Sequence, residues 1–295
     1  MTSNNSNLVL NNDKVFILID TSYWIFYRFY ALLQWWKHTH DDSSDTTLVN
    51  PYENSEFLEK FVKTFLDSIE GFKKKQKLHA QRKKPATPCT IIAVRDCPRS
   101  EIWRNSLYTS YKETRTKDDS FNGGAFFKHV YQENNKLLYS AGVDHVLQFP
   151  NLEGDDIVAI CKKQIRQKYS QARIIILAND HDYLQLLDDY TEIINFQNKN
   201  LREAKKVFAE PSKNLFYKIV LGDKSDNIFP IFKKCGPKTC EKYYENRELF
   251  LQALQKETGA QEKYELNKKL VDFNEIPETL AAKFLEQYKS ILINL

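Results

Sequence analysis

The stretch Val15-Phe16-Ile17-Leu18-Ile19-Asp20 decides the fold of this chain. Five apolar residues follow one another without a polar break, which predicts a strand over residues 14–20 that is buried on both faces. Strands of that kind belong to parallel sheets that helices cover on both sides. An aspartate closes the run, at the point where the chain would leave the sheet.

Two later apolar runs end in the same way. Asp96 follows the run at residues 90–94, and Asp180 and Asp182 follow the run at residues 174–177. In open α/β sheets, functional sites are built at the carboxyl ends of the strands. These aspartates are therefore expected to converge, although they are far apart along the chain.

Strand and helix patterns alternate over the first two thirds of the chain. The predicted further strands lie near residues 90–96, 143–148, 173–178 and 192–196, and the predicted helices lie at residues 22–36, 99–111 and 155–169. Ser22 is expected to cap the first helix, and Glu153-Gly154-Asp155-Asp156 opens the third. Beyond Pro211 the pattern is only helical. The alternation predicts an α/β fold with a mostly parallel sheet, followed by a helical region.

The composition is that of a protein with a sizeable core and a basic surface. The chain has 295 residues, 42% of them hydrophobic, which is enough for one large domain or for one domain with a small extension. Its net charge is +4. If the acidic residues of the motifs gather in one pocket, the remaining surface is considerably more basic than this total, so a polyanionic partner is expected.

Cysteine usage and hydropathy point to an intracellular, soluble protein, in the cytoplasm, the nucleus or a viral replication compartment. The five cysteines show no C-x-x-C pairing, and no leader with a basic start and an apolar core precedes them. No apolar run approaches the roughly 20 residues that cross a bilayer. Residues 1–13 are expected to be a disordered tail, and residues 38–54 are expected to be a loop insertion.

A later stretch combines features of metal and phosphate binding. Gly222-Asp223-Lys224-Ser225-Asp226-Asn227-Ile228 places two carboxylates three residues apart, and Cys235-Gly236-Pro237-Lys238-Thr239 follows it. A glycine turn that opens a helix offers free backbone N–H groups and a positive dipole end to a phosphate. Capture of a DNA backbone beside acidic metal ligands suggests a nuclease.

Five motifs in order resemble the structure-specific 5′ nucleases: the flap endonucleases, the 5′ nuclease domain of bacterial DNA polymerase I, and the phage exonucleases and ribonuclease H. The motifs are Leu18–Ser22 with Arg28, Asp96 with Arg104 and Tyr111–Arg115, Glu153–Asp156, Asn179–Leu186, and Gly222–Ile228. The resemblance covers roughly residues 15–277. The tail at residues 267–277 looks closest to the phage branch.

The resemblance implies a fold and a domain plan. It implies a PIN-like central sheet, mostly parallel and flanked by helices, at residues 14–210, with a gate or arch at about residues 112–142. It also implies that the helical region at residues 211–295 contains a helix-three-turn-helix motif that binds DNA. Of the two glycines usual in that motif, only the second is present, as Gly236.

The resemblance also implies a two-metal mechanism with Mg²⁺ or Mn²⁺, in which the ions lie about 4 Å apart. The ligands assigned mainly to the first ion are Asp20, Asp96, Glu153, Asp155 and Asp156, and those assigned mainly to the second are Asp180, Asp182, Asp223 and Asp226. The cations expected at the scissile phosphate are Lys112, Arg104 and Arg115. The residues expected to bind DNA are Arg28, Lys233, Lys234, Gly236, Lys238 and Thr239.

The implied activity is hydrolysis of phosphodiester bonds in DNA during replication, repair or recombination, by a monomer. The substrates would be DNA with a 5′ end, flap or nick, and by extension RNA in RNA–DNA hybrids. A DNA-binding protein that has lost catalysis is one alternative. A phosphohydrolase of the haloacid-dehalogenase type is another, but it needs an aspartate two residues after Asp20, where Ser22 stands.

Several of these residues also have simpler interpretations. Each acid taken alone would be a helix cap or a solvated turn residue. Tyr23 or Tyr27 could stack a base, although core packing is expected for at least one of them. His181 is expected to be a bystander, because no second histidine or cysteine stands at zinc-ligand spacing.

Overall fold

A five-stranded parallel sheet forms the centre of the protein, in a computed structural model that describes residues 14–40, 50–78, 86–115 and 123–295. The strands are β1 (Val15–Asp20), β2 (Cys89–Val94), β3 (His145–Leu147), β4 (Arg173–Leu177) and β5 (Thr191–Ile194). Their order is β3-β2-β1-β4-β5, and each neighbouring pair is parallel. The predicted α/β fold is confirmed. The predicted tail at residues 1–13, most of the insertion at 38–54, and residues 116–122 of the gate lie outside the described residues.

The central strand behaves as its apolar run predicts. The side chains at residues 16–19 have no exposed surface, because helices cover both faces of the sheet. Asp20 lies opposite Val94, and Ile19 lies opposite Leu177. The three strands therefore end at the same edge, and this register brings their acidic residues together.

Helices form a layer on each side of the sheet. On one side, α1 (Thr21–His40), α2 (Ser55–Leu66), α3 (Ser68–Lys75) and α4 (Gly124–Ser140) enclose an aromatic-rich core. On the other side, α5 (Gly154–Lys168) packs with α10 (Glu278–Gln287) and α11 (Lys289–Asn294). A third core lies among α6 (Pro211–Leu221), α7 (Pro237–Glu245), α8 (Arg247–Lys256) and α9 (Ala260–Val271). None of the helices in the described ranges is both long and apolar enough to span a membrane.

The first helix is capped by Asp20 and not by Ser22. The Tyr23 N–H donates to Asp20 Oδ1 at 2.9 Å, so the carboxylate that ends β1 also starts α1. Ser22 lies inside the helix, where its hydroxyl donates to Asp96 Oδ2 at 2.6 Å. The predicted Ser22 cap is wrong because the strand passes into the helix without an intervening turn.

The predicted helix at residues 99–111 is also wrong. Two short 3₁₀ segments, Arg99–Glu101 and Trp103–Ser106, replace it, and the extended backbone of Ile102 separates them. The Trp103 N–H donates to the Asn151 carbonyl oxygen at 3.0 Å, so a tertiary hydrogen bond takes the place of a helical one. The buried side chains of this segment follow tertiary contacts that periodicity does not reveal.

The region beyond Pro211 is helical, as predicted, and a loop at residues 222–236 joins α6 to α7. The loop starts at Gly222, where φ is +73° and a Cβ atom would lie 2.3 Å from the Ile228 carbonyl oxygen. A larger residue would not fit there. The assignment of α6, this loop and α7 as a helix-three-turn-helix motif stays a prediction.

Candidate metal centre

A cleft of about 280 Å³ opens at the carboxyl edge of the sheet, above the ends of β1, β2 and β4. Six of the predicted ligands line it: Asp20, Asp96, Glu153, Asp155, Asp180 and Asp182. Lys112 and Arg115 line it as well. The structure thus gathers acids that are separated by up to 162 residues of sequence.

Asp20 and Asp96 are oriented by hydrogen bonds to neighbouring elements. Tyr183 donates its hydroxyl to Asp20 Oδ2 at 3.0 Å. Asp96 Oδ1 accepts the N–H of Gly154 at 2.7 Å, at the start of α5. A Cβ atom at Gly154 would lie 3.1 Å from that oxygen, which is closer than an ordinary contact and accounts for the glycine.

The motif at residues 153–156 forms the amino-terminal turn of α5 and contributes a compact set of carboxylates. Ligand atoms of Glu153, Asp155 and Asp156 lie within 4.8 Å of one another. Asp156 Oδ2 accepts the Glu153 N–H at 3.1 Å and so closes a capping box. Among the described residues, Asp155 forms no ion pair, and its carboxylate is available to the cleft.

The electrostatics of the cleft favour a bound cation. Burial raises the pKa of Asp20 to about 7, and the charges of Asp96 and Asp180 add to the shift. Burial and the neighbouring Glu153 and Asp156 also raise the pKa of Asp155 well above its usual range. Oxygen-only ligands that repel one another match a hard divalent ion such as Mg²⁺ or Mn²⁺. The donor set therefore fits the ion that the sequence predicts.

Asp156 and Arg104 lie below the cleft and not in its lining. The Arg104 side chain is 2% exposed, and its Nη2 lies 2.7 Å from Asp156 Oδ1. Arg104 also donates to Glu153 Oε2 at 2.9 Å and to the Leu270 carbonyl oxygen at 2.8 Å. This location differs from the expected approach of Arg104 to a phosphate, because buried carboxylates already surround the guanidinium.

Asp226 is likewise buried beneath the cleft rather than exposed in it. Arg115 Nη2 lies 2.5 Å from Asp226 Oδ1, and Lys112 Nζ lies 3.9 Å from Asp226 Oδ2. Lys112 also forms an ion pair with Glu153. Burial alone would raise the pKa of Glu153, but Lys112 and Arg104 outweigh it and hold that pKa below its usual range.

Lys218 on α6 is a charged residue that the sequence analysis missed. It forms ion pairs with Asp182 and, at 2.8 Å, with Asp223. Burial opposes ionisation of Asp223, yet Lys218 and Ser225 lower the pKa of this carboxyl to about 2. The only available signal was a lysine five residues before Asp223 in a largely apolar helix, and that pattern is common on solvated helix faces.

A second pocket of about 600 Å³ adjoins the cleft and shares Tyr23 and Asn179 with it. The Tyr23 hydroxyl accepts the Phe196 N–H at 3.1 Å, so Tyr23 belongs to the packing of the core. Tyr27 lines the same pocket, and Arg28 lies 5.1 Å from the centre of the Tyr27 ring. The half-buried Arg28 is therefore held by aromatic rings.

The predicted phosphate-binding residues lie together at the start of α7, beyond the cleft. Gly236 is the residue before the helix, and Lys233, Lys234 and Lys238 are exposed around it. Thr239 is half-buried in the first turn. The free amino end of α7 and three lysines form a positive surface, which we call the α7 surface.

The family described as "5′-3′ exonuclease, N-terminal resolvase-like domain" matches residues 15–212, which is more than half of the chain. The chain belongs to this 5′-3′ exonuclease family. The predicted family resemblance is confirmed, and the haloacid-dehalogenase alternative finds no support.

Relatives of this exonuclease-family chain include a bacterial 5′-3′ exonuclease and a bacterial DNA polymerase I. A 5′-3′ exonuclease of Aquifex aeolicus is 31% identical over 160 residues, which is 53% of this chain and 52% of the relative. DNA polymerase I of Streptococcus pneumoniae is 27% identical over 161 residues, which is 52% of this chain and 17% of that protein. The chain thus spans about half of the first relative and a smaller part of the polymerase.

Solved structures share the fold over nearly the whole exonuclease-family chain. The T5 5′-exonuclease with bound zinc ions has a TM-score of 0.62 at 17% identity, covering 94% of this chain and 99% of that one. The T5 D15 flap endonuclease in a complex with DNA and metal ions has a TM-score of 0.59 at 16% identity, with the same coverage. At such identities the likeness shows the fold alone.

We predict that a divalent ion stabilises this exonuclease-family protein more at pH 8 than at pH 5.5. Without metal, folded Asp20 keeps its proton up to about pH 7, whereas the unfolded chain loses it near its ordinary pKa of 3.8. The stabilisation from this proton is complete below the unfolded pKa and is lost as the pH rises through about 7. A bound ion replaces the lost proton.

Thermal unfolding with EDTA or with excess Ca²⁺ checks this prediction. At about 100 times the dissociation constant, an ion that binds only the folded state stabilises it by about 2.7 kcal/mol. We therefore expect the ion to raise Tm by several degrees at pH 8 and by less at pH 5.5. In Asp20→Asn, the difference between these two rises in Tm should be smaller. Equal rises in Tm at pH 8 and at pH 5.5 would contradict the prediction.

Proposed function

We propose that this chain is a divalent-metal-dependent, structure-specific 5′ nuclease that hydrolyses phosphodiester bonds in DNA. The observation that carries the proposal is the cleft in which six carboxylates meet Lys112 and Arg115. Such a cleft attracts divalent cations, and the two basic side chains provide for an anionic substrate. The proposed substrates are DNA ends, flaps and nicks, with RNA–DNA hybrids as an extension, and the proposed state is a monomer.

The cleft-lining acids are the proposed metal ligands. Asp20, Asp96, Glu153 and Asp155 would hold the first Mg²⁺ or Mn²⁺, and Asp180 and Asp182 would hold the second. Bound there, the ions would lower the pKa of a water molecule and neutralise charge on the phosphate. Asp156, Asp223 and Asp226 do not line the cleft and are paired with Arg104, Lys218 and Arg115, so we propose that they act on the metal centre through their neighbours or through water.

Lys112 and Arg115 are the proposed substrate cations, since both line the cleft. Lys112 is anchored by Glu153 and Asp226, which places a positive charge at the edge of the carboxylate cluster. Burial would lower the pKa of Lys112, but Glu153, Asp226 and other nearby groups together outweigh burial and keep the ammonium charged. Arg104 has a different proposed role: it holds Asp156 and Glu153 in place and does not contact the phosphate.

A cleavage panel tests the proposed function. Labelled flap, nicked duplex, blunt duplex and RNA–DNA hybrid substrates would be incubated with Mg²⁺, with Mn²⁺ or with EDTA. We expect metal-dependent cleavage that starts from the 5′ end or the flap junction. Binding without cleavage under every metal condition would favour the silent DNA-binding alternative, and cleavage in EDTA would reject the two-metal mechanism.

Binding of the duplex is proposed for the α7 surface, and a triple variant tests it. Lys233→Ala, Lys234→Ala and Lys238→Ala together are expected to weaken binding on every sequence, because lysine–phosphate contacts release counterions. Removal of three such contacts should also lower the slope of log affinity against log salt by up to about 3. The control variant carries Lys256→Ala on α8 and Lys263→Ala on α9. It should change neither the affinity for DNA nor the salt slope. An unchanged salt slope in the triple variant would count against the proposal.

A further inference from the structure

Helix α4 contains a backbone conformation that local sequence does not explain. Its path is interrupted at residues 132–135, where Glu133, Asn134 and Asn135 have φ values of 49°, 55° and 64°. Non-glycine residues rarely adopt this left-handed conformation, and three in succession are rarer still. Such backbone persists only where the surrounding structure holds it, so the contacts of this turn are informative.

The turn aims Asn135 at an arginine beside the metal centre. Arg95 Nη1 donates to Asn135 Oδ1 at 2.7 Å. The same guanidinium lies 3.8 Å from the centre of the ring of Tyr131, the last α4 residue before the interruption. Arg95 directly precedes Asp96, and its backbone N–H donates to the Leu147 carbonyl oxygen of β3 at 2.9 Å.

A second contact joins α4 to the start of α1 and the end of β2. The Tyr131 hydroxyl lies 2.8 Å from Thr21 Oγ1, and Thr21 Oγ1 donates to the Val94 carbonyl oxygen at 2.5 Å. Because Thr21 has one hydroxyl proton and uses it on Val94, Tyr131 is the donor of the first bond. Thr21 is fully buried and directly follows Asp20.

The two contacts meet at the ends of the strands that carry Asp20 and Asp96. β1 becomes α1 directly after Asp20, and the Thr21 hydroxyl donates to the carbonyl oxygen of Val94, the last residue of β2. Tyr131 therefore contacts the neighbour of each aspartate: Thr21 through its hydroxyl and Arg95 through its ring. We call Tyr131, Asn135, Arg95 and Thr21 the α4 clamp.

We propose that Tyr131 is a positioning residue that sets the separation of Asp20 and Asp96 through the α4 clamp. Through the clamp, the metal affinity of the cleft depends on the position of α4 relative to the sheet. This inference rests on the proposed metal-dependent nuclease function. Groups that orient metal ligands commonly change metal affinity or activity by about 10- to 100-fold when they are removed.

Tyr131→Phe tests the proposal, because it removes one hydroxyl and keeps the ring over Arg95. We expect the dissociation constant for Ca²⁺, measured by calorimetry, to rise by about 10-fold. The Mg²⁺ concentration that gives half of the maximal single-turnover rate should rise in parallel, while the rate at saturating Mg²⁺ stays within about 2-fold. Tyr139→Phe is the matched control, because this exposed tyrosine on the same helix should leave both values unchanged.

Thr21 provides a second and independent test. Thr21→Val keeps the shape but removes the hydroxyl, and it should weaken Ca²⁺ binding, whereas Thr21→Ser keeps the hydroxyl and should retain most of the affinity. Unchanged Ca²⁺ affinity in Tyr131→Phe overturns the inference, and so does equal weakening in Tyr139→Phe. If Tyr131→Phe is unfolded, the two Thr21 variants test the inference instead. Equal Ca²⁺ affinity in Thr21→Val and Thr21→Ser would then overturn it. Calorimetry reports metal affinity even if no substrate is cleaved, so failure of the proposed nuclease function would be seen separately.

Discussion

Replacement of Asp155 by asparagine is expected to lower the single-turnover cleavage rate by about 10³-fold or more at fixed Mg²⁺. The asparagine keeps the shape of the side chain but removes a carboxylate that lines the cleft and has no ion-pair partner among the described residues. A catalytic metal ion contributes several kcal/mol of charge stabilisation in the transition state, and about 1.4 kcal/mol corresponds to a factor of ten. Loss or displacement of one ion therefore accounts for an effect of this size.

The control for Asp155→Asn is Asp189→Asn, which makes the same chemical change at an exposed position outside the cleft. It should retain full activity. Binding of a flap substrate in Ca²⁺ should remain within a few-fold for both variants, because the α7 surface is unchanged. If Asp155→Asn cleaves at a rate close to that of the unaltered protein, Asp155 is not a metal ligand.

Replacement of Lys112 by methionine is expected to lower the single-turnover rate by about 10²-fold at saturating protein. A fixed cation beside the scissile phosphate stabilises charge that grows in the transition state, and loss of one preorganised group of this kind commonly has such an effect. Methionine retains much of the apolar stem of the side chain. The dissociation constant for DNA, measured in Ca²⁺, should change by only a few-fold.

The pH dependence of Lys112→Met provides a second measurement. Lys112 helps to hold the pKa of Glu153 below its usual range, so its removal should raise that pKa. Glu153 would then need a higher pH to ionise, and the acidic limb of the pH–rate profile should move to higher pH. Lys112→Arg keeps the charge and should keep the limb near its original position. A loss of DNA affinity without a loss of rate would make Lys112 a binding residue and would reject the catalytic role.

Much of the sheet and its acidic edge was predictable from local patterns. The run at residues 15–19 has no polar break, and the structure places its strand within one residue of the predicted bounds. The other strands lie within about two residues of their predictions at each end. The interior strands β2 and β4 are apolar over most of their length because helices bury both of their faces. Asp20, Asp96 and Asp180 follow such strands, so their meeting at one edge is a consequence of parallel pairing.

Roles that depend on a distant partner were not predictable in this way. Arg104 and Asp226 belong to the family motifs, but their positions in the motifs do not indicate that each is buried against an opposite charge. Lys218 and Tyr131 gave no distinctive signal, because a lysine or a tyrosine on a helix is ordinary. The predicted helix at residues 99–111 failed for the same reason: the Trp103 N–H donates to distant Asn151 and not to a residue of the segment.

Local sequence alone thus determines the parallel sheet and the edge at which its acids gather. Apolar runs and the residues that end them act within a few positions of one another, through burial and strand pairing. Only the tertiary structure decides which of these acids remain open to an ion and which are neutralised by Arg104, Arg115 or Lys218. The physical reason is that the charge state of a carboxylate depends on its burial and on cations within a few ångströms, and here those cations come from segments far away in the chain.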